Sequence, residues 1–184
     1  MKVVEVILLS FGLLVNTPSK ALAQSTSPPS ASIDAIKKLD FLLGSWKGDG
    51  WIQMGAGNRR NFNQSEVVES KLGGLVIMIE GLGKGSDADN NGAIVHNAIA
   101  IISYDSDAKV YRWRAYTADG RSIDTEAKLT GDHILQWGFA VPQAGTIRYT
   151  MDLSQPDHWH ETGEFSHDGK SWFKTFEMML QRSK

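Results

Sequence analysis

Cysteine is absent from all 184 residues. That excludes disulfides, iron–sulfur and zinc–thiolate sites, a cysteine nucleophile, and a lipid anchor attached behind an export cleavage point. The folded part must be held by its core alone, which a domain of about 150 residues can manage. An excess of one charge is missing too: beyond residue 23 the chain has 17 basic and 20 acidic side chains. That near-balance offers no basic footprint for nucleic acid and no polybasic patch for a membrane. No apolar run reaches the roughly 20 residues that cross a bilayer. The nucleophile elbow, the His-Glu-x-x-His zinc motif and the phosphate loop do not occur either, although a catalytic triad set only by geometry would leave no such mark.

The chain does have a distinct start. Lys2 precedes the apolar run Val6 to Val15, and Ala21-Leu22-Ala23 forms an A-x-A cleavage pattern. Residues 1–23 therefore read as a signal peptide, cleaved near Ala23, for export to the periplasm or the extracellular medium; the run is short for an uncleaved anchor. Residues 24–32, rich in Ser, Thr, Pro and Ala, cannot bury a core and read as a flexible leader. One domain over residues 33–184 is expected.

From Tyr104 onward, turn signals recur every 12 or 13 residues: Asp105-Ser106-Asp107, Asp119-Gly120, Gly131-Asp132, Pro142 to Gly145, Gln155-Pro156-Asp157 and His167-Asp168-Gly169. Between them apolar side chains alternate, as in half-buried strands. Ile147, Tyr149, Met151 and Leu153 share one face against Thr146, Arg148, Thr150 and Asp152. Only Ser32 to Leu43 has helical spacing, with Ile33, Ile36, Leu39 and Leu43 on one side and Ser32 as N-cap candidate. Ten strands follow, at roughly 45–54, 62–72, 74–84, 96–104, 110–118, 122–130, 133–140, 145–153, 158–166 and 172–182. The expected fold is all-β: a single ten-stranded antiparallel up-and-down barrel with a short N-terminal helix. In a meander of even strand number the first and last strands are antiparallel and can close the ring. Parity puts the connections 55–61, 85–95, 119–120, 142–145 and 167–170 at one end, the expected mouth, and the tight turns 73–74, 105–109, 131–132 and 155–157 at the floor.

Phe41-Leu42-Leu43-Gly44-Ser45-Trp46-Lys47-Gly48-Asp49-Gly50 resembles the Gly-x-Trp-x-Gly-x-Gly opening strand of lipocalin-like barrels, of nitrobindin-type barrels and of a bacterial domain-of-unknown-function family numbered 1579. Leu72-Gly73-Gly74, Ile101-Ile102-Ser103-Tyr104-Asp105 and a final strand ending in Arg182 are similar to the last family, and the resemblance spans most of residues 40–182. It implies that Arg182 packs across Trp46 at the floor, a structural closure by cation–π contact. Nitrobindin-type barrels hold haem through a histidine on the last strand. Here Trp172 to Arg182 carries none, and its methionines, Met178 and Met179, read as core filler. No cofactor is expected.

The inward face is expected to carry Ile52, Met54, Tyr111, Trp113, Trp137, Phe139, Tyr149, Met151, Trp159, Phe165, Phe176 and Met178. Ten strands make a ring wide enough for a cavity, and such walls suit a small hydrophobic ligand; a packed core without a cavity is the alternative. Trp113, Trp137, Phe139, Tyr149, Met151, Trp159 and Glu161 are the candidate ligand-binding residues. Glu161 shares parity with Trp159, and a buried carboxyl must be paired or neutral, so it would orient a ligand's polar end or accept a proton. His158 and His160, with His133, have metal-ligand spacing but point outward, so no metal is expected. Asp87-Ala88-Asp89-Asn90-Asn91-Gly92 copies half a calcium loop, with Ala98 where the bidentate Glu belongs, and reads as a polar loop. Three functions stay open: a secreted binder of a small hydrophobic molecule; an enzyme of the same fold using Glu161 with Tyr149 or Tyr111; and an interaction module on which Trp51 and Ile134 would join one exposed patch.

Overall fold

The computed structural model describes residues 30–53, 55 and 57–183. Residues 1–29, which include the stretch read as a signal peptide and most of that read as a leader, lie outside them, as does Met54. The strands are β1 (Gly44–Gln53), β2 (Arg59–Lys71), β3 (Val76–Gly85), β4 (Ile94–Asp105), β5 (Val110–Thr117), β6 (Ser122–Gly131), β7 (Ile134–Val141), β8 (Gly145–Asp152), β9 (His158–Ser166) and β10 (Phe173–Arg182). Each pairs antiparallel with its neighbours, and β1 with β10 completes a closed barrel. The closing register runs from Trp46 opposite Arg182 to Ile52 opposite Phe176, which leaves no unpaired sheet edge.

The alternation survives into burial. On β2, Phe62, Gln64, Glu66 and Val68 are buried while Asn63, Val67 and Glu69 are exposed. On β9, Trp159, Glu161 and Gly163 are buried while His158 and His160 are exposed. Turn chemistry supports the strand ends: Gly120 has φ 86° in the turn between β5 and β6, a conformation open to glycine without penalty.

The N-terminal helix differs from the expectation. α1 covers Ser30–Lys37, so it begins inside the stretch read as leader and Ser32 is buried within it rather than capping it. A separate 3₁₀ turn covers Asp40–Leu42. Between them the backbone bonds tighten to three-residue steps, Leu39 N to Ile36 O at 2.8 Å and Leu42 N to Leu39 O at 3.0 Å. Tighter winding puts residues three apart on one face, so Leu39 and Leu42 are both fully buried. The pair of short helices seals the floor, where the Tyr111 hydroxyl donates to Ala35 O at 2.9 Å.

The floor is locked around Trp46. Its indole Nε1 donates to Leu42 O at 2.9 Å, its ring meets Trp159 edge-on at 5.6 Å, and the Arg182 guanidinium lies 4.0 Å over it. Arg182 also donates to the carbonyls of Phe41 and Leu43 and to Asp157. The implied closure contact is present, with β1 and β10 held to the floor by one side chain.

Candidate functional site

The lumen has two unlike walls. The first belongs to β5, β7, β8 and β10. Trp113, Trp137 and Tyr149 stack in one file, with centroids 4.5 and 4.4 Å apart and planes within 15° of parallel. Phe139 flanks the file at 6.3 Å, and Phe176 meets Tyr149 edge-on at 5.6 Å. Alternation delivers these rings to one face, and stacking of this kind adds about 0.5–1.5 kcal/mol per pair beyond area burial. Trp137, Phe139, Tyr149 and Phe176 all point inward yet are only half-buried and keep partial contact with solvent. Buried indole Nε1 groups of Trp113 and Trp137 have no hydrogen-bond partner.

The second wall belongs to β1–β4 and is lined by small residues: Gly48 and Gly50, Gly81 and Gly83, and Ala98 and Ala100. The longer side chains of β2 lie down on these glycines. A Cβ at Gly81 would sit 2.7 Å from the Glu66 carboxyl oxygens, and one at Gly83 would sit 2.4 Å from Gln64 Oε1. Gln64 Nε2 donates to Glu66 Oε1 at 2.6 Å, while Gln64 Oε1 is buried without a partner. His96 stands opposite Gly83 on β4 and keeps solvent contact.

Glu161 faces this wall from β9. It is 7 % exposed and Glu66 is 5 % exposed. Trp159 Nε1 donates to Glu161 Oε2 at 3.1 Å. Burial pushes the Glu161 carboxyl up to about 8, helped by the charge of Glu66, against the single indole bond. Burial likewise pushes Glu66 up to about 7, opposed by the Gln64 amide. The same loss of water, with the charge of Glu161, raises the Tyr149 phenol to about 12, and desolvation lowers the His96 imidazole. Near neutral pH the pair Glu66–Glu161 therefore retains protons that ordinary carboxyls have lost.

Of the residues expected to bind a ligand, Trp113, Trp137, Phe139 and Tyr149 come together in one file. Met151 and Trp159 are fully buried deeper down, with Trp159 spent on the Trp46 contact. Glu161 lies inside, as its parity implies. Phe62, Gln64, Glu66 and His96 were not among the candidates. Phe-x-Gln-x-Glu-x-Val breaks the apolar rhythm that marks an inward face; the available signal was the neighbouring Gly81-x-Gly83-x-Gly85, whose alternate gaps call for long partners. His158 Nδ1 contacts Pro156 O, His160 Nε2 contacts Glu177 Oε1, and His133 stacks on Phe41; among the described residues no group of metal-ligating side chains forms. Asp87 is engaged by Asn61, accepting from its N at 2.7 Å and its Nδ2 at 2.6 Å, which staples the loop to β2. Two depressions of about 340 and 360 Å³ open elsewhere, one at the floor beside Trp46 and Arg182 and one at the rim beside Trp51 and Arg59. Neither includes Glu161 or the ring file. Trp51 is half-buried under Arg59, whose guanidinium lies 4.1 Å over its ring, and Ile134 is half-buried.

No family model matches the chain, and no curated protein matches it. Solved structures do. The crystal structure of Rv2717c from M. tuberculosis superposes with a TM-score of 0.58 at 13 % identity, covering 82 % of this chain and 98 % of that one. The S-type phycobiliprotein lyase CPES from Guillardia theta superposes with a TM-score of 0.56 at 10 % identity, covering 83 % and 93 %. Both are lipocalin-like barrels, and the fold of this chain is a lipocalin-like barrel.

Proposed function

We propose that the barrel binds a small hydrophobic molecule in its lumen, between the file Trp113–Trp137–Tyr149 and the glycine-lined wall. The observation that carries this reading is the partial solvent exposure of inward-facing Trp137, Phe139, Tyr149 and Phe176: rings packed purely as core would be dry, as Met151 and Leu135 are. An apolar cleft with a few polar groups is the usual make-up of a ligand site. Ligand would pass between the loops at the β1–β2 and β3–β4 ends. The similarity to a phycobiliprotein lyase adds a named protein with a barrel of this shape and names no ligand here.

Native mass spectrometry of the protein purified from its own host should show a co-purified small molecule, lost in a Trp137→Ala variant. A mass equal to the bare chain, together with tryptophan fluorescence unmoved by any apolar probe, would sink the reading. Catalysis is the second reading, favoured by the buried, proton-retaining Glu161: the bound molecule would then change on incubation with the protein and stay intact with Glu161→Gln. Export and kinship with the family numbered 1579 belong to the same proposal. The first rests on residues 1–23 and predicts a mature N-terminus at Gln24; the second rests on the Gly44 to Gly50 motif and Arg182.

A further inference from the structure

We propose that the molecule held in the lumen is a cation: a flat apolar body carrying a protonated nitrogen, the body on the Trp113–Trp137–Tyr149 file and the nitrogen between Glu66, Glu161 and Gln64. The inference rests on the binding reading above and names its ligand class. What carries it is the balance of unmet hydrogen-bonding capacity. Each carboxyl receives one side-chain donor, Gln64 Nε2 or Trp159 Nε1, although a carboxylate can accept about four. Gln64 Oε1, on a side chain only 4 % exposed, has none. Once the carboxyls are ionised the corner is rich in acceptors and short of donors, the unpaired indole donors Trp113 Nε1 and Trp137 Nε1 belonging to the ring file, and an N–H-bearing cation supplies both the donors and the charge. A purely apolar guest would leave these groups dry and unpaired, which is costly, and an anion would be repelled.

Among the described residues none provides a counter-ion there. Neither carboxyl is influenced by a basic side chain. Arg182, the inward-phased cation of β10, is held at the floor by Asp157 and the carbonyls of Phe41 and Leu43. Arg121 at the rim is paired with Asp119. The other titratable groups at inward positions are Arg60 on β2, exposed beyond Phe62 at the rim, His96 and Tyr104 from β4, Tyr149 from β8 and Tyr111 from β5. Desolvation lowers the His96 imidazole below its ordinary value, and burial raises the phenols of Tyr149 and Tyr111. β1, β3, β6 and β7 present only apolar residues, glycine and Thr125. With the site empty, protons neutralise the carboxyl pair; an incoming cation takes their place, so binding releases protons and strengthens with pH.

Three probes with one ring separate the outcomes: 1-naphthylmethylammonium, 1-naphthylmethanol and 1-naphthylacetate, followed by tryptophan fluorescence at pH 6 and pH 8. The expected result is that the ammonium binds at least tenfold more tightly than the alcohol at pH 8, with a smaller margin at pH 6 and the acetate weakest. In a Glu66→Gln/Glu161→Gln variant whose near-ultraviolet circular dichroism is native, that margin should vanish while the alcohol still binds. Alcohol or acetate matching the ammonium on the native protein would overturn the cation and leave the binding barrel standing, and needs no variant. Failure of all three probes would overturn both.

Discussion

The two walls of the lumen are made by the same alternation and meet opposite demands. On the side of β5, β7, β8 and β10 aromatic bulk comes from the wall's own strands: Trp113, Trp137 and Tyr149 touch face to face and hold one another. On the β1–β4 side the inward positions 48, 50, 81 and 83 are glycine, and bulk there is borrowed from β2, whose Phe62, Gln64 and Glu66 lie along the neighbouring strands. The first wall contributes stability and asks little of a ligand. The second holds the unpaired acceptor Gln64 Oε1 and the two carboxyls, whereas the unpaired donors Trp113 Nε1 and Trp137 Nε1 lie on the first; it contributes little stability, since a buried polar group returns only about 1 kcal/mol even when paired. Their difference identifies which wall selects and which supports.

The largest expected contrast comes from removing bulk on each side. Trp137→Ala should destabilise the protein by about 3 kcal/mol, the low end for a buried aromatic because this ring is partly hydrated. Gln64→Leu with Glu66→Leu should leave stability within about 1 kcal/mol of the native value, or raise it, since both partners of a buried polar pair are replaced together. Urea denaturation measures both. If the double variant falls as far as Trp137→Ala, the polar wall is structural after all.

These walls were unequally legible in the sequence. Strand count, inward faces and closure followed from alternation and turn spacing, because a one-residue slip would turn every apolar side chain outward. The aromatic file followed for the same reason. Glu66 and Gln64 did not: a polar residue at an inward position looks the same as one on an outward face, and only the packing of β2 against Gly81 and Gly83 reveals the difference. The start of α1 was hidden by its composition, since Ser30 to Ser32 are small and polar and become helical only because Ala35, Ile36 and Leu39 are drawn under the floor.

The lumen and the outer face should also differ in the pH at which they weaken. Glu66 and Glu161 have raised folded-state values, about 7 and 8 against an ordinary 4.5. Below pH 4.5 they are protonated whether folded or not. Above it the unfolded chain loses protons that the folded chain keeps, so stability declines between pH 4.5 and about 8, by at most about 1.4 kcal/mol per unit for each group. Outward Glu177 behaves in reverse: Lys174, His160 and Trp51 hold it at about 2, so its contribution is lost as pH falls from 4.5 toward 2. Together they place the highest melting temperature near pH 5. Glu161→Gln should flatten the alkaline slope and leave the acid one; a slope unchanged in that variant would mean Glu161 ionises normally inside the barrel.

The smallest contrast is the same substitution made once on each wall. A Cβ at Gly163 would lie 2.7 Å from the Tyr149 ring and 2.8 Å from Phe176 Cβ. Both are fixed, one by the ring file and one by the backbone of β10, so Gly163→Ala must shift the wall, at a cost of about 1–3 kcal/mol. At Gly81 the clash is only with the free end of Glu66, which can swing toward the lumen axis and meet water there. Gly81→Ala should therefore cost about 1 kcal/mol less than Gly163→Ala. Moving Glu66 into the lumen should also return its titration toward the ordinary carboxyl range, visible by NMR. Equal losses at the two glycines would mean that Glu66 is pinned as firmly as the rings, and that the second wall has no slack to offer a ligand.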